Sequence, residues 1–368
     1  SLSDQLSSPS CAVKDRAGSK KYTSIGGQAV IEGVMMRSPH FLTIAVRRPD
    51  NRIIIKEQPW KGWADKYPIL KKPFLRGVVT LLESMINGVE ALSYSANAAA
   101  TAEAAASNSD PKQEEISSFA IFTSIAFAFV LGMALFVAAP HYVTVLLGRA
   151  GLFAQGIQNP MFHLVDGAIK VLFLVTYVLS IALMRDVKRV FQYHGAEHKS
   201  IYAFERGEEL TVENARRHST LHPRCGTSFL LFLLIISILV FSVLFPIINS
   251  YLGVEAWTAG VPIAKHAVMI LIKIVLMLPV AGISYEFIRL SANHMSNPFF
   301  RFLIFPGLIL QKLTTREPTD DQLEIALASL KRVLLLEKNP SSLSTTEIEI
   351  GSISEISNVN AVVTEFLG

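Results

Sequence analysis

Two long stretches without an acid or a base frame everything else in this chain. Residues 116–148 and 225–254 contain no Asp, Glu, Lys or Arg. Charged residues are 17% of the 368, so a 30-residue window would be free of them by chance roughly 0.4% of the time, and the hydrocarbon core of a bilayer is the setting that selects such windows. A hydrophobic share of 51% beside that charge deficit argues against a soluble enzyme, for which about 25% charge is usual. The net charge of +4 is small and unevenly placed, which suits membrane orientation and not nucleic-acid binding. Two cysteines, Cys11 and Cys225, cannot build a disulfide framework, so nothing asks for an oxidising compartment.

Four helical spans are expected, at 119–147, 162–184, 229–251 and 263–285, each near the ~20 residues that a core about 30 Å thick requires. The connector 185–227 holds Arg185, Lys188, Arg189, Lys199, Arg206, Arg216, Arg217 and Arg224, whereas Arg149 and Lys265 stand alone in the other two connectors. Basic residues stay inside, so the N-terminal region, this connector and the C-terminus are expected on the cytoplasmic side of a bacterial membrane, or the stromal side of a plastid one.

Around the spans, 1–25 is Ser-rich and polar, a flexible segment without the apolar run of a secretory signal. Residues 26–72 read as a small β-rich cytoplasmic domain: a short strand between glycines, then a hairpin of 41–48 and 52–57 about Pro49-Asp50-Asn51. In 73–118, Leu75, Val78, Leu82, Met85 and Val89 recur at helical spacing, which predicts a long amphipathic helix that lies on the bilayer or docks on the spans. The membrane domain is 119–290, with a cytoplasmic His/Cys loop at 185–227. Residues 291–337 carry an interfacial segment and a C-terminal helix opened by the capping-box pair Thr319 and Gln322, and the Ser- and Glu-rich 338–368 reads as a disordered tail. The fold class is mainly α: an α-helical polytopic membrane protein with about four transmembrane helices and a small β-containing N-terminal cytoplasmic domain.

The chemistry concentrates in the loop. In Tyr193-His194-Gly195-Ala196-Glu197-His198-Lys199 the two imidazoles fall one helical turn apart, a spacing that can share a zinc ion, with Glu197 placed to activate its water. The string H-x-x-E-H is the inverted zincin pattern, although Gly195 inside it costs helix propensity. His218, His222 and Cys225 lie in the same loop and can meet the first group at the membrane surface. The alternative is that these are interfacial polar residues bonded to loop backbone, with Cys225 a small buried apolar residue. Glu205, Glu208 and Glu209 are further candidate ligands, or a solvated charged face.

Three strings resemble the signatures of the YqhQ-like family: Gly26-Gly27-Gln28-Ala29-Val30-Ile31-Glu32-Gly33-Val34-Met35-Met36-Arg37, Tyr193-His194-Gly195-Ala196-Glu197-His198-Lys199, and His222-Pro223-Arg224-Cys225-Gly226-Thr227-Ser228-Phe229. These are polytopic membrane proteins of bacteria, with related plastid forms, grouped as a domain of unknown function and often labelled predicted metal-dependent enzymes. The resemblance runs from about residue 24 to 336.

Charges also fall inside the spans. Asp166 and Lys170 lie about 6 and 12 Å into the second, Lys273 interrupts the fourth, and His141 closes the first. They form either a polar pocket between the second and fourth spans, or an i, i+4 ion pair with lysines that snorkel to the surface. Glu32 is a candidate ligand or base, or is fixed by Arg37 or Arg76; Glu286 completes a metal site or anchors the inner interface with Arg289.

The first reading of function is a metal-dependent hydrolase acting on a lipid-embedded or membrane-protein substrate. His194, His198 and one of His222 or Cys225 would hold zinc, with Glu197 as general base and His218, Glu32 and Glu286 as accessory candidates. The second is a non-enzymatic insertion or assembly factor that docks partners on the basic loop and the long helix. The third is a small-solute or ion transporter, in which Lys273 and Asp166 would be the sensitive positions. The lipid bilayer is the one partner common to all three.

Overall fold

The computed structural model describes residues 24–106, 118–152, 160–223, 225–252, 262–294 and 297–356. The expected tail residues 357–368 and most of 1–25 lie outside them. Five strands form an antiparallel meander in chain order: β1 (Gly26–Val30), β2 (Gly33–Arg37), β3 (Phe41–Arg47), β4 (Ile53–Pro59) and β5 (Ile348–Ile350). Ile31-Glu32 alone joins β1 to β2, and Glu32 accepts a left-handed φ of 51° to close that turn. At the β3–β4 turn Asn51 takes φ 66°, the conformation for which Asn is favoured, and Asp50 accepts the Arg52 amide at 3.1 Å.

Helices α1 (Leu75–Ala106), α2 (Ser118–Met133), α3 (Ala139–Arg149), α4 (Pro160–Ile181), α5 (Arg185–Glu205), α6 (Val212–Arg216), α7 (Gly226–Leu252), α8 (Pro262–Asn293), α9 (Pro298–Thr314) and α10 (Asp320–Lys338) complete the chain. Both faces of the sheet are covered. Val34, Met36, Phe41, Ala45, Ile53 and Ile55 pack with α5 and α10, while Met35, Leu42, Ile44, Val46 and Ile54 face Ala91, Tyr94 and Ala98 of α1. That explains why β3 reads as a continuous apolar run and only partly alternates: a strand buried on both sides has no polar face to write into the sequence.

Four helical segments are long and apolar enough to cross a membrane: Phe122–Arg149, Met161–Ile181, Gly226–Leu244 and Ile270–Ser291. The first runs through a π-helical turn at Ala134–Ala138 ahead of Pro140. Helix α8 continues past the expected end at 285 to Asn293, so Glu286 is on a helix rather than after one. Helices α4 and α8 both pack along α7; at Gly167 a Cβ would come within 2.1 Å of Ile238, so α4 reaches α7 only through that glycine. Helix α1, about 48 Å long, neither lies free nor docks on the spans alone. Its first turns meet α8, with Gly77 under Tyr285, and its later turns cover the sheet, with Gly88 under Gln28.

Two expectations need correction. Half of the loop 185–227 is the 21-residue helix α5, because its apolar face, Tyr193, Ala196, Ile201 and Phe204, is buried against α10 and the sheet. The described part of the tail, up to residue 356, is tied to the fold: Ile348–Ile350 pairs with β4, and Glu57 accepts the Ser344 amide at 3.2 Å. The edge of β4 offers unpaired backbone groups that even a Ser/Glu-rich segment can satisfy.

Candidate metal centre

Helix α5 presents His194, Glu197 and His198 on one buried side. His194 Nδ1–H donates to the Thr314 carbonyl at 2.9 Å and His198 Nδ1–H to the Thr220 carbonyl at 2.5 Å. With both Nδ1 atoms spent on backbone, each ring turns Nε2 inward, the arrangement by which ligating histidines are oriented from behind. Cys225, immediately before α7, meets them: His194 Nε2 to Sγ is 3.2 Å, and one ligand atom from each of His194, His198 and Cys225 lies within 4.8 Å of the others. Such a cluster could hold a metal ion.

The helix needs Gly195 where it costs propensity. A Cβ there would sit 2.1 Å from the Arg316 carbonyl oxygen, because the segment from α9 to α10 runs directly over α5, with the Arg316 amide on the Phe191 carbonyl at 2.9 Å. That close approach delivers the Thr314 carbonyl to His194. The N-terminal glycines have a similar role: a Cβ on Gly27 of β1 would lie 2.6 Å from Glu197 Cγ, so the sheet is the roof of the site.

Electrostatics couples the group. Burial works to raise the Cys225 thiol, and the imidazoles of His194 and His198 outweigh it and hold it well below its ordinary value. Burial likewise lowers His194, but the charge and hydrogen bond of Cys225, aided by Glu197 and Thr314, push it up to about 9. Glu197 is raised, chiefly by burial, with Cys225 adding and the two imidazoles opposing. The Thr227 hydroxyl, 3.1 Å from Sγ, and its amide at 3.4 Å give the sulfur the donors of a helix N-terminus.

The other candidates are placed elsewhere. His222 is beside the cluster, its ring centroid 5.6 Å from that of His198, but Gln311 pins its backbone from both sides at 2.9 and 2.7 Å and its Nε2 faces Glu205 at 3.4 Å. His218 pairs with Glu208 at 2.8 Å. Glu32 is held by Arg189 and by the Tyr193 hydroxyl at 3.3 Å, not by Arg37 or Arg76. Arg37 stacks on Trp60, and Arg76 grips Glu286 at 2.6 Å, which takes Glu286 away from any metal. In the spans His141, Asp166, Lys170 and Lys273 are all buried, and the lysines turn inward to Asp166 instead of snorkelling. Gln311, and the parts played by Thr227 and by the carbonyls of Thr220 and Thr314, escaped the sequence reading; nothing in a lone Gln or Thr marks it as the support of a histidine or a thiol.

Burial lowers His222 to about 4, with Cys225 opposing. The unfolded chain takes up this proton near 6.5 and the folded chain only near 4, so stability falls as pH drops through that window, by up to about 3 kcal/mol. Thermal unfolding of the detergent-solubilised protein at pH 7 and pH 4.5 is expected to show this loss, and a His222→Gln variant to remove much of the slope.

Comparison with known proteins places this chain in a family. A curated relative from Bacillus subtilis (strain 168), "Uncharacterized protein YqhQ", is 34% identical over 319 residues, covering 85% of this chain and 92% of the relative. No solved structure matches the chain. The family model described as "Protein of unknown function (DUF1385)" matches residues 72–336, which include the whole His/Cys cluster. The chain therefore belongs to the DUF1385 family.

Proposed function

We propose that this protein is a metal-dependent membrane hydrolase whose centre is held by His194, His198 and Cys225, with Glu197 as general base. The observation that carries the reading is the convergence of three ligand atoms within 4.8 Å, both imidazoles fixed from behind by carbonyls. His194 Nε2 is 3.2 Å from Cys225 Sγ and all three ligand atoms lie within 4.8 Å of one another, a span that zinc bonds of about 2.0–2.3 Å could bridge. The mixed nitrogen and sulfur donors suit zinc. Three protein ligands leave a fourth position, and a bound ion supplies there a water acidified toward neutral pH. Glu197, buried and shifted upward, would serve as the general base for such a water and pass the proton on to the leaving group. Cys225 directly precedes the span Gly226–Leu244, so the substrate is one presented at the membrane surface, a lipid or a membrane-protein segment. The basic connector supports a position for the centre on the cytoplasmic or stromal side.

Elemental mass spectrometry of detergent-purified protein prepared without chelator tests the centre. The wild type is expected to carry about one zinc per chain, a His194→Ala/His198→Ala variant less than about a tenth of that, and Glu197→Gln a full complement, since the base is not a ligand. Metal-free wild type, or metal unchanged in the double variant, would sink the proposal.

A further inference from the structure

We propose a second site, inside the membrane: the Asp166, Lys170 and Lys273 cluster between α4 and α8 binds a singly charged oxyanion, the phosphate of a lipid headgroup or a free phosphate ion. Helices α4 and α8 each pack along α7 and scarcely meet one another. Asp166 Oδ2 accepts a hydrogen bond at 2.8 Å from Lys170, one turn further along α4, and across the gap one at 2.9 Å from Lys273 of α8. Asp166 and Lys273 are 2% exposed and Lys170 7%, so none of the three is in contact with bulk water. Lys170 points over the Phe241 ring and Lys273 over the Phe162 ring, both neutral partners. Phe241 is 15 residues beyond Gly226 on α7, so this cluster is about 22 Å from the His/Cys centre, toward the opposite end of the spans.

The charges do not balance. One carboxylate faces two ammonium groups, leaving a surplus of one positive charge in a setting where an uncompensated charge is strongly disfavoured. Among the described residues of the membrane helices the other acid is Glu286, already spent on Arg76. Donors are also in surplus: an ammonium has three N–H groups, and each lysine gives one to Asp166. On the other side, Asp166 Oδ1 is buried without a hydrogen-bond partner among the described residues. A ligand that fits must bring one negative charge, several acceptor oxygens and at least one donor for Oδ1. A monoanionic phosphate bearing or adjoining a hydroxyl has all three: its oxygens take the spare ammonium N–H groups, and the hydroxyl donates to Oδ1. A zwitterionic choline headgroup has no such donor and no net charge.

The test uses the full chain in nanodiscs of pure phosphatidylcholine and of phosphatidylcholine with phosphatidylglycerol, and inorganic phosphate titrated into the pure phosphatidylcholine discs, with thermal unfolding as the readout. Wild type is expected to gain about 3 °C or more with the anionic lipid. Lys273→Gln removes the surplus while keeping the Lys170–Asp166 pair, so it is expected to lose that gain. Asp166→Asn enlarges the surplus and is expected to keep or increase it. A gain from inorganic phosphate but not from phosphatidylglycerol, again lost in Lys273→Gln, assigns the site to a free oxyanion. No gain from either, a gain unchanged in Lys273→Gln, or a smaller gain in Asp166→Asn overturns the proposal.

Discussion

A single methyl group at Gly195 is expected to destabilise this protein by about 2 kcal/mol and to empty the proposed metal centre. The added Cβ would lie 2.1 Å from the Arg316 carbonyl oxygen, a backbone atom that cannot swing aside as a side-chain tip can. Overpacking of this kind typically costs about 1–3 kcal/mol, with the upper end appropriate for a clash with main chain. Alanine recovers about 1 kcal/mol of helix propensity over glycine, too little to offset it. The segment from α9 to α10 would have to lift away from α5, carrying the Thr314 carbonyl off His194 Nδ1. Unfolding temperature and metal content of Gly195→Ala should therefore fall together. Gly132→Ala, where nothing lies within 4 Å of the new atom, is the control and is expected to leave both unchanged. Equal behaviour of the two variants would mean that α5 and the overlying segment are not packed as described.

Removing Arg332 should be comparably severe for a different reason. Its guanidinium meets Glu57 at 2.5 Å, and the Glu57 side chain is entirely buried between β4 and α10. Leucine at 332 leaves that carboxylate with only the Ser344 amide at 3.2 Å, and stranding one member of a buried pair costs about 3–5 kcal/mol. The Glu57→Leu/Arg332→Leu double variant is expected to regain most of this loss, because two apolar residues leave no unpaired charge behind. Chemical unfolding of the single and double variants reads the difference directly. Additive losses would show that the pair is not coupled.

Much of the centre was legible because it is local. His194 and His198 fall one turn apart on any helix, and Glu197 is carried with them. Choosing Cys225 over His222 as the third member was not legible, since both precede α7 within four residues and periodicity treats them alike. In the structure the ligand atoms that converge are those of His194, His198 and Cys225, while Gln311, 89 residues from His222 in sequence, holds the His222 backbone beside them. The partner of Glu32 is a similar case. Arg37 and Arg76 were nearer along the chain, but Arg189 on α5 is nearer in space, because α5 and α10 lie on the sheet face next to the β1–β2 turn.

Composition and spacing by themselves determined that this chain enters a bilayer four times, that its N-terminal region forms strands, and that imidazoles pair on one helix. Those are consequences of transfer free energy and of helical repeat, both of which act on neighbouring residues. Only the tertiary structure decided that 348–350 completes the sheet, that Gly27 and Gly195 are apertures for Glu197 and the Arg316 carbonyl, and that Lys170 and Lys273 share one carboxylate inside the membrane. Each of these depends on which distant surfaces meet. A glycine records the need for room without saying what fills it, and an intramembrane lysine records a charge without naming its counter-ion.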